Sequence, residues 1–183
     1  MTHDTPHLET AVLAGGCFWC LEAAYQMVRG VEQVVPGYPG GRVSNPTYEQ
    51  VETGITGHAQ SVRIEFDPRH ISFRRLLDIF WAIHDPTTKD RQGNDVGPQY
   101  RSIIFYANEN QHRVAQASVK EAQEQLSDPI VTEIVRLEHF YEAEPYHHNY
   151  FRNNPEQAYC QIVINPKLAK LKAKYSSRLK ERL

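Results

Sequence analysis

The chain has 183 residues, a net charge of −2 with histidine neutral, and three cysteines. That length holds one domain with its own core, and so small a charge gives no field for nucleic acid or an anionic membrane. Three cysteines are too few for a secreted disulfide framework, no apolar run is long enough to span a bilayer, and no charged segment leads into an apolar one as in a signal peptide, so a cytoplasmic protein is expected.

Residues 1–9 are polar and read as a lead-in to the domain. Thr10 to Ala14 reads as a short buried strand. Gly15 and Gly16 allow a sharp turn, and Leu21, Tyr25 and Val28 recur at helical spacing up to Gly30. Cys17 therefore opens a helix, where free backbone N–H groups and the helix dipole favour a thiolate. Phe18 and Trp19 set an apolar wall beside it. The spacing of Cys17 and Cys20 also fits a thioredoxin-like dithiol or half of a zinc site.

Val31 to Tyr38 is a second strand, bent at Pro36-Gly37, followed by a turn-rich loop and a brief helical turn at Tyr48 and Glu49. Val62, Ile64 and Phe66 alternate on one face of a strand from Gln60. Ser72 caps a helix with an apolar stripe of Leu76, Leu77, Phe80, Trp81 and Ile83, ending before Pro86. His84 to Gln99 is long, polar and aperiodic, which in a compact domain points to function. Tyr100 to Tyr106 is a strand. Asn108 caps a helix with Gln111 in the capping-box position and Val114, Ala117, Val119 and Ala122 on its apolar side. Ile130 to Leu137 alternates as another strand, Phe140 to Pro155 is irregular, and Pro166 starts a basic amphipathic helix with Leu168, Leu171, Tyr175 and Leu179 inward. The mixture predicts an α/β (α+β) fold: one domain over residues 1–183, with a mixed β-sheet and flanking helices in a two-layer βαβ-type sandwich and a long irregular C-terminal region.

Several separated stretches, in order, resemble the peptide methionine sulfoxide reductases of the A type. They are Gly15-Gly16-Cys17-Phe18-Trp19, Gly37-Tyr38-Pro39-Gly40-Gly41, Asn45-Pro46-Thr47-Tyr48, Thr56-Gly57-His58-Ala59, His84-Asp85-Pro86-Thr87-Thr88, Arg91 to Gly97, Gln99 to Ser102, Thr132 to Ile134, Phe140 to Glu144 and Tyr159-Cys160. Many ordered motifs over roughly residues 10–165 are far more specific than a lone Cys-x-x-Cys. The resemblance implies reduction of methionine S-sulfoxide, free or in a peptide, as protein repair after oxidation, with no metal, flavin or nucleotide cofactor. Cys17 is then the nucleophile, Phe18 and Trp19 bind the methyl group, and Tyr48, Asp95 and Tyr100 bind the oxygen, Asp95 through a water. A sulfenic acid on Cys17 is resolved to a disulfide by Cys160, the favoured thiol, or by Cys20. Thioredoxin or a similar dithiol resets the disulfide. No nucleic-acid or membrane partner is implied, and a monomer is expected.

One position departs from the pattern. Where the family usually carries a glutamate beside the oxygen, this chain has Gln60, which can hold the same hydrogen bond but cannot act as an acid. A general thiol-disulfide oxidoreductase is the alternative enzyme reading. A zinc module using Cys17, Cys20, His147 and His148 is disfavoured because neighbouring histidines lack the usual ligand spacing. His58 and His84 are expected to brace loops. Glu144 and His147 are given a place near the pocket but no chemical role.

Overall fold

The computed structural model describes Thr5 and residues 7–181; most of the predicted lead-in lies outside the described residues, and Glu9 already belongs to the first strand. In chain order the elements are β1 (Glu9–Ala14), α1 (Phe18–Gln26), β2 (Val31–Pro39), α2 (Tyr48–Glu52), β3 (Ser61–Phe66), α3 (Phe73–Ile83), β4 (Arg91–Gln92), β5 (Asp95–Val96), β6 (Ile103–Tyr106), α4 (Glu109–Glu124), β7 (Glu133–Arg136), β8 (Phe140–Glu142), α5 (Tyr150–Asn153) and α6 (Asn165–Tyr175). A π-helical turn, Cys160–Ile164, leads into α6.

Six strands form one sheet in the order β7-β6-β1-β3-β2-β8. All its pairings are antiparallel except β6 with β7, so the sheet is mixed, as predicted. Its two faces bury different residues. Ala11, Leu13, Val62, Ile64, Phe66 and Ile104 join α1, α3 and α6 in the main core. Val12, Ala14, Ala59, Ile103 and Phe105 make a smaller cluster on the other face, under Leu137 and Phe140. β1 is therefore apolar at every inner position because both of its faces are covered.

Several local expectations change. The irregularity in β2 falls between Val31 and Gln33; Pro36 and Gly37 keep regular register with Val62 and Ser61. Gly37 serves close approach instead, since a Cβ there would sit 2.3 Å from the Phe140 ring. On α4 the buried positions are Gln111, Ala115 and Ser118, and Ala117 is exposed. Polar side chains can occupy that face because each is hydrogen-bonded: Gln111 Nε2 donates to the Thr10 carbonyl at 2.8 Å, and Ser118 Oγ accepts from Trp81 Nε1 at 2.8 Å. Gln111 Oε1 accepts from the Ala107 N–H, so the capping box predicted there is absent, whereas Thr47 and Gln50 form a full one on α2. Leu179 lies beyond α6, in a short strap on the end of α1. There Val28 and Leu179 form a β-bridge, the Arg29 N–H donates to the Arg178 carbonyl and the Lys180 N–H to the Met27 carbonyl, each at 2.8 Å.

Antiparallel pairing brings distant stretches to one end of the sheet. Ala14 pairs with both Ser61 and Ile103, and Ser61 also pairs with Gly37. The end of β1, the start of β3, the start of β6 and the end of β2 meet there. Cys17, Gln60, Tyr100 and the chain leading to α2 converge as a result.

Candidate active site

Gly16 takes φ +91°, a conformation open to glycine, and donates its N–H to the Tyr100 carbonyl at 3.1 Å. The turn delivers Cys17 as the N-cap of α1 with extended backbone angles. Cys17 is 7% exposed. Burial pushes its thiol well above the ordinary value and the neighbouring Cys20 adds to the rise; the Trp19 N–H pulls it down, Asp95 raises it and the Tyr159 hydroxyl lowers it. The helix terminus expected to acidify Cys17 is present, and desolvation outweighs it. As it stands, Cys17 is held as a protonated thiol.

The three cysteines are free and buried. Cys20 lies one turn along α1 from Cys17, and its sulfur is 3.6 Å from the Tyr159 hydroxyl. Tyr159 donates to Asp95 Oδ2 at 2.7 Å, which leaves the Cys20 S–H as donor to the phenol. Asp95, expected beside the oxygen, is thus also tied to the thiols. Cys160 is fully buried at the start of the π-helical turn, where burial and then Cys20 raise its thiol. A groove of about 1040 Å³ between the Asp85 to Asp95 loop and α6 shares Asp95 and Tyr159 with this cluster, but Cys17 is not on its wall.

The two aromatic candidates differ. Trp19 is half-buried, stacks on Tyr150 at 3.6 Å between ring centroids, and donates Nε1–H to His147 Nδ1 at 3.0 Å. Phe18 is fully buried, packed on Tyr38 and His147, and supports the wall from beneath. Burial pulls the imidazole of His147 down to about 4. It is therefore neutral, which suits an Nδ1 that accepts from Trp19. Its Nε2 meets no acceptor among the described residues. Glu144 accepts from the Tyr38 hydroxyl at 2.9 Å and the Tyr48 N–H at 3.0 Å. His147 and Glu144 thus hold Trp19 and Tyr48 in place.

Opposite this wall, Gln60 is 1% exposed and its Oε1 accepts from the Phe18 N–H at 3.1 Å. Its Nε2 donates to Glu52 Oε1 at 2.7 Å, and the Tyr100 hydroxyl donates to Glu52 Oε2 at 2.8 Å. Burial, Glu52 and neighbouring groups push the phenols of Tyr48 and Tyr100 above their ordinary range, so both remain protonated. Glu52 was not among the residues expected here. Its place four residues after Tyr48, on the same side of a helical turn, is the signal that could have found it. His58 and His84 do brace loops: His58 Nδ1 accepts from the Gly41 N–H at 2.9 Å, and His84 joins Phe80 to Ser102.

A buried thiol at a helix N-terminus, two more thiols beside it and a polar pocket of phenols, an amide and a carboxylate define a thiol-dependent oxidoreductase. The family model described as peptide methionine sulfoxide reductase matches residues 9–179, and the chain belongs to that family. A peptide methionine sulfoxide reductase MsrA from Leptospira borgpetersenii is 58% identical over 163 residues, 89% of this chain and 93% of that protein. Among solved structures, Mxr1 from Saccharomyces cerevisiae in reduced form aligns with TM-score 0.78 and 32% identity, over 84% of this chain and 89% of that one. Methionine sulfoxide reductase A of Corynebacterium diphtheriae aligns with TM-score 0.77 and 35% identity, over 84% and 78%. Mxr1 in complex with Trx2 shares the fold at TM-score 0.55 and 23% identity, over 82% and 89%.

Proposed function

We propose that the chain, as one catalytic domain, reduces methionine S-sulfoxide, free or in peptides, to methionine, with Cys17 as nucleophile and a thioredoxin-type dithiol as reductant. The observation that carries this is the placement of Cys17 between an aromatic wall and a set of hydrogen-bond donors. Trp19, backed by Phe18, offers the apolar face that a methyl group and a sulfur atom pack against. Tyr48, Tyr100 and Gln60 offer donors to the oxygen, and Asp95 orients Tyr159 over the thiols.

The Cys17 sulfur attacks the sulfoxide sulfur and takes over its oxygen, so that methionine leaves and Cys17 becomes a sulfenic acid. A second thiol displaces that oxygen as water and forms a disulfide. Sequence reasoning favours Cys160 for this step. The place of Cys20, one turn along α1 from the Cys17 N-cap, supports Cys20 as the first partner. A Cys17–Cys20 disulfide forms first on this reading. Cys160 can then attack Cys20, freeing Cys17 and moving the bond towards the C-terminal segment before a dithiol reduces it by exchange. Reduced thiols suit the cytosol, where we place the protein as a monomer; among the described residues no helix is long and apolar enough to cross a membrane.

Turnover of the two sulfoxide epimers with thioredoxin tests the reading. The S epimer is expected to be reduced and Cys17→Ser to be inactive on it, whereas a Cys17→Ser enzyme that still releases methionine overturns the assignment. Peptide mapping after one turnover of Cys160→Ser should recover the Cys17–Cys20 link.

A further inference from the structure

We propose that Glu52 is the proton source for the sulfoxide oxygen, delivered through the hydroxyl of Tyr100. This rests on the reductase reading of the same site. Breaking the S–O bond needs a proton on the oxygen, because an oxide is a very poor leaving group. Gln60 lies in the pocket but its amide has no acidic proton. Tyr48 and Tyr100 can donate hydrogen bonds, but a phenol that gave up its proton unaided would be a phenolate beside a carboxylate. Burial and Glu52 hold both phenols against that outcome.

Glu52 has the geometry to relieve this. Four residues after Tyr48 on α2, its carboxylate is held by Gln60 Nε2 at 2.7 Å and the Tyr100 hydroxyl at 2.8 Å. It takes part in no ion pair among the described residues. When Glu52 is ionised, Tyr100 has its one proton committed to the carboxylate. Once Glu52 is protonated the bond reverses: the acid donates to the phenol oxygen, and the phenol proton is free to point at the substrate. Asp95 is less suited, since its Oδ2 is taken by Tyr159 on the thiol side of the pocket.

The step balances without an outside acid. The proton lost by the Cys17 thiol matches the one gained by Glu52. As the Cys17 S–O bond forms and the methionine S–O bond breaks, two electrons pass from the Cys17 sulfur to the methionine sulfur. The oxygen receives the Tyr100 proton, Tyr100 takes the Glu52 proton, and the products are methionine, a Cys17 sulfenic acid and the Glu52 carboxylate. Tyr100 is the catalytic donor, and Glu52 acts through it as a positioning and proton-supplying residue.

The test is a single turnover of pre-reduced enzyme with methionine S-sulfoxide and no added reductant, with methionine release followed across pH. Glu52→Gln is expected to slow release by about 10²- to 10⁴-fold and to flatten the pH dependence of release that a carboxyl proton source would give the wild type. The double change Glu52→Gln, Gln60→Glu exchanges the two ends of one hydrogen bond and returns a carboxyl group to the pocket. It is expected to recover most of the rate and a pH-dependent limb. A Glu52→Gln enzyme at the wild-type rate overturns the proposal. So does a slow one that keeps the wild-type pH limb, or one that the exchange leaves unrepaired, because either reduces Glu52 to a strut. A wild-type enzyme that releases no methionine overturns the reductase reading itself, an outcome distinct from both.

Discussion

His84 shows how one buried side chain ties the site to the pH of its surroundings. Its Nδ1 is 2.5 Å from the Phe80 carbonyl and so carries the proton; its Nε2 is 2.8 Å from Ser102 Oγ and accepts. The ring stacks on Phe80 beneath Gly15, where an added Cβ would meet it at 2.9 Å. Burial lowers its pKa from the ordinary 6.5 to about 4. The folded state therefore resists protonation more than the unfolded chain does. The stabilisation is complete above pH 6.5 and is lost as pH falls towards 4. A shift of this size corresponds to roughly 3 kcal/mol. His147, lowered to about 4 by burial, contributes in the same direction, and its protonation would also break the Trp19 bond. Denaturant titrations at steps across this range should show stability falling with acid. A midpoint that stays flat would contradict the neutral assignment of both rings.

At the scale of elements, α2 matters out of proportion to its five residues. It carries Tyr48 at its first position and Glu52 at its last, and Thr47 fixes its start by accepting from the Gln50 N–H at 3.2 Å. Losing such a cap costs about 1 kcal/mol. Thr47→Ala is expected to lower the melting temperature by roughly 2–4 °C and to reduce kcat/KM as Tyr48 and Glu52 lose their shared footing. A melting shift with unchanged kinetics would mean that α2 is held by its surroundings alone. The same helix marks the limit of what could be read in the sequence. The strand-turn-helix around Cys17 was legible because apolar spacing, paired glycines and a cysteine agree over a long window. Tyr48, Gln60, Asp95 and Tyr100 were named from the motifs around them, and of these Gln60 and Tyr100 meet on Glu52. Glu52 was not legible, because a single helical turn shows no period and one of its two partners, Tyr100, lies on a distant stretch of the chain. The buried face of α4 misled for the opposite reason: Gln111 and Ser118 are polar, and their burial depends on acceptors and donors in other elements that no local pattern reveals.

Across the whole molecule, the three thiols belong to two regions held against one helix. Cys17 caps α1 and Cys20 lies in its first turn, while Tyr159 and Cys160 arrive on the C-terminal segment. That segment is fastened near the middle and end of α1: the Tyr150 N–H donates to Glu22 Oε1 at 3.3 Å, Gln26 Nε2 to Asn149 Oδ1 at 2.7 Å, and the Leu179 strap closes on Val28. Deleting the chain from Ser176 onward removes the far fastening. Backbone amides in α6 and the π-helical turn should then exchange hydrogen faster, and disulfide formation should slow relative to methionine release. Unchanged exchange in α6 would show that packing of Leu168 and Leu171 suffices without the strap. If the strap does matter, its effect is one of effective concentration. With Tyr150 anchored to α1 and Leu179 to Val28 just beyond its end, the Cys160 thiol stays near Cys20 when the π-helical turn loosens, which keeps its effective concentration high. The enzyme can then open locally to complete its redox cycle while the rest of the sheet and α1 stay folded.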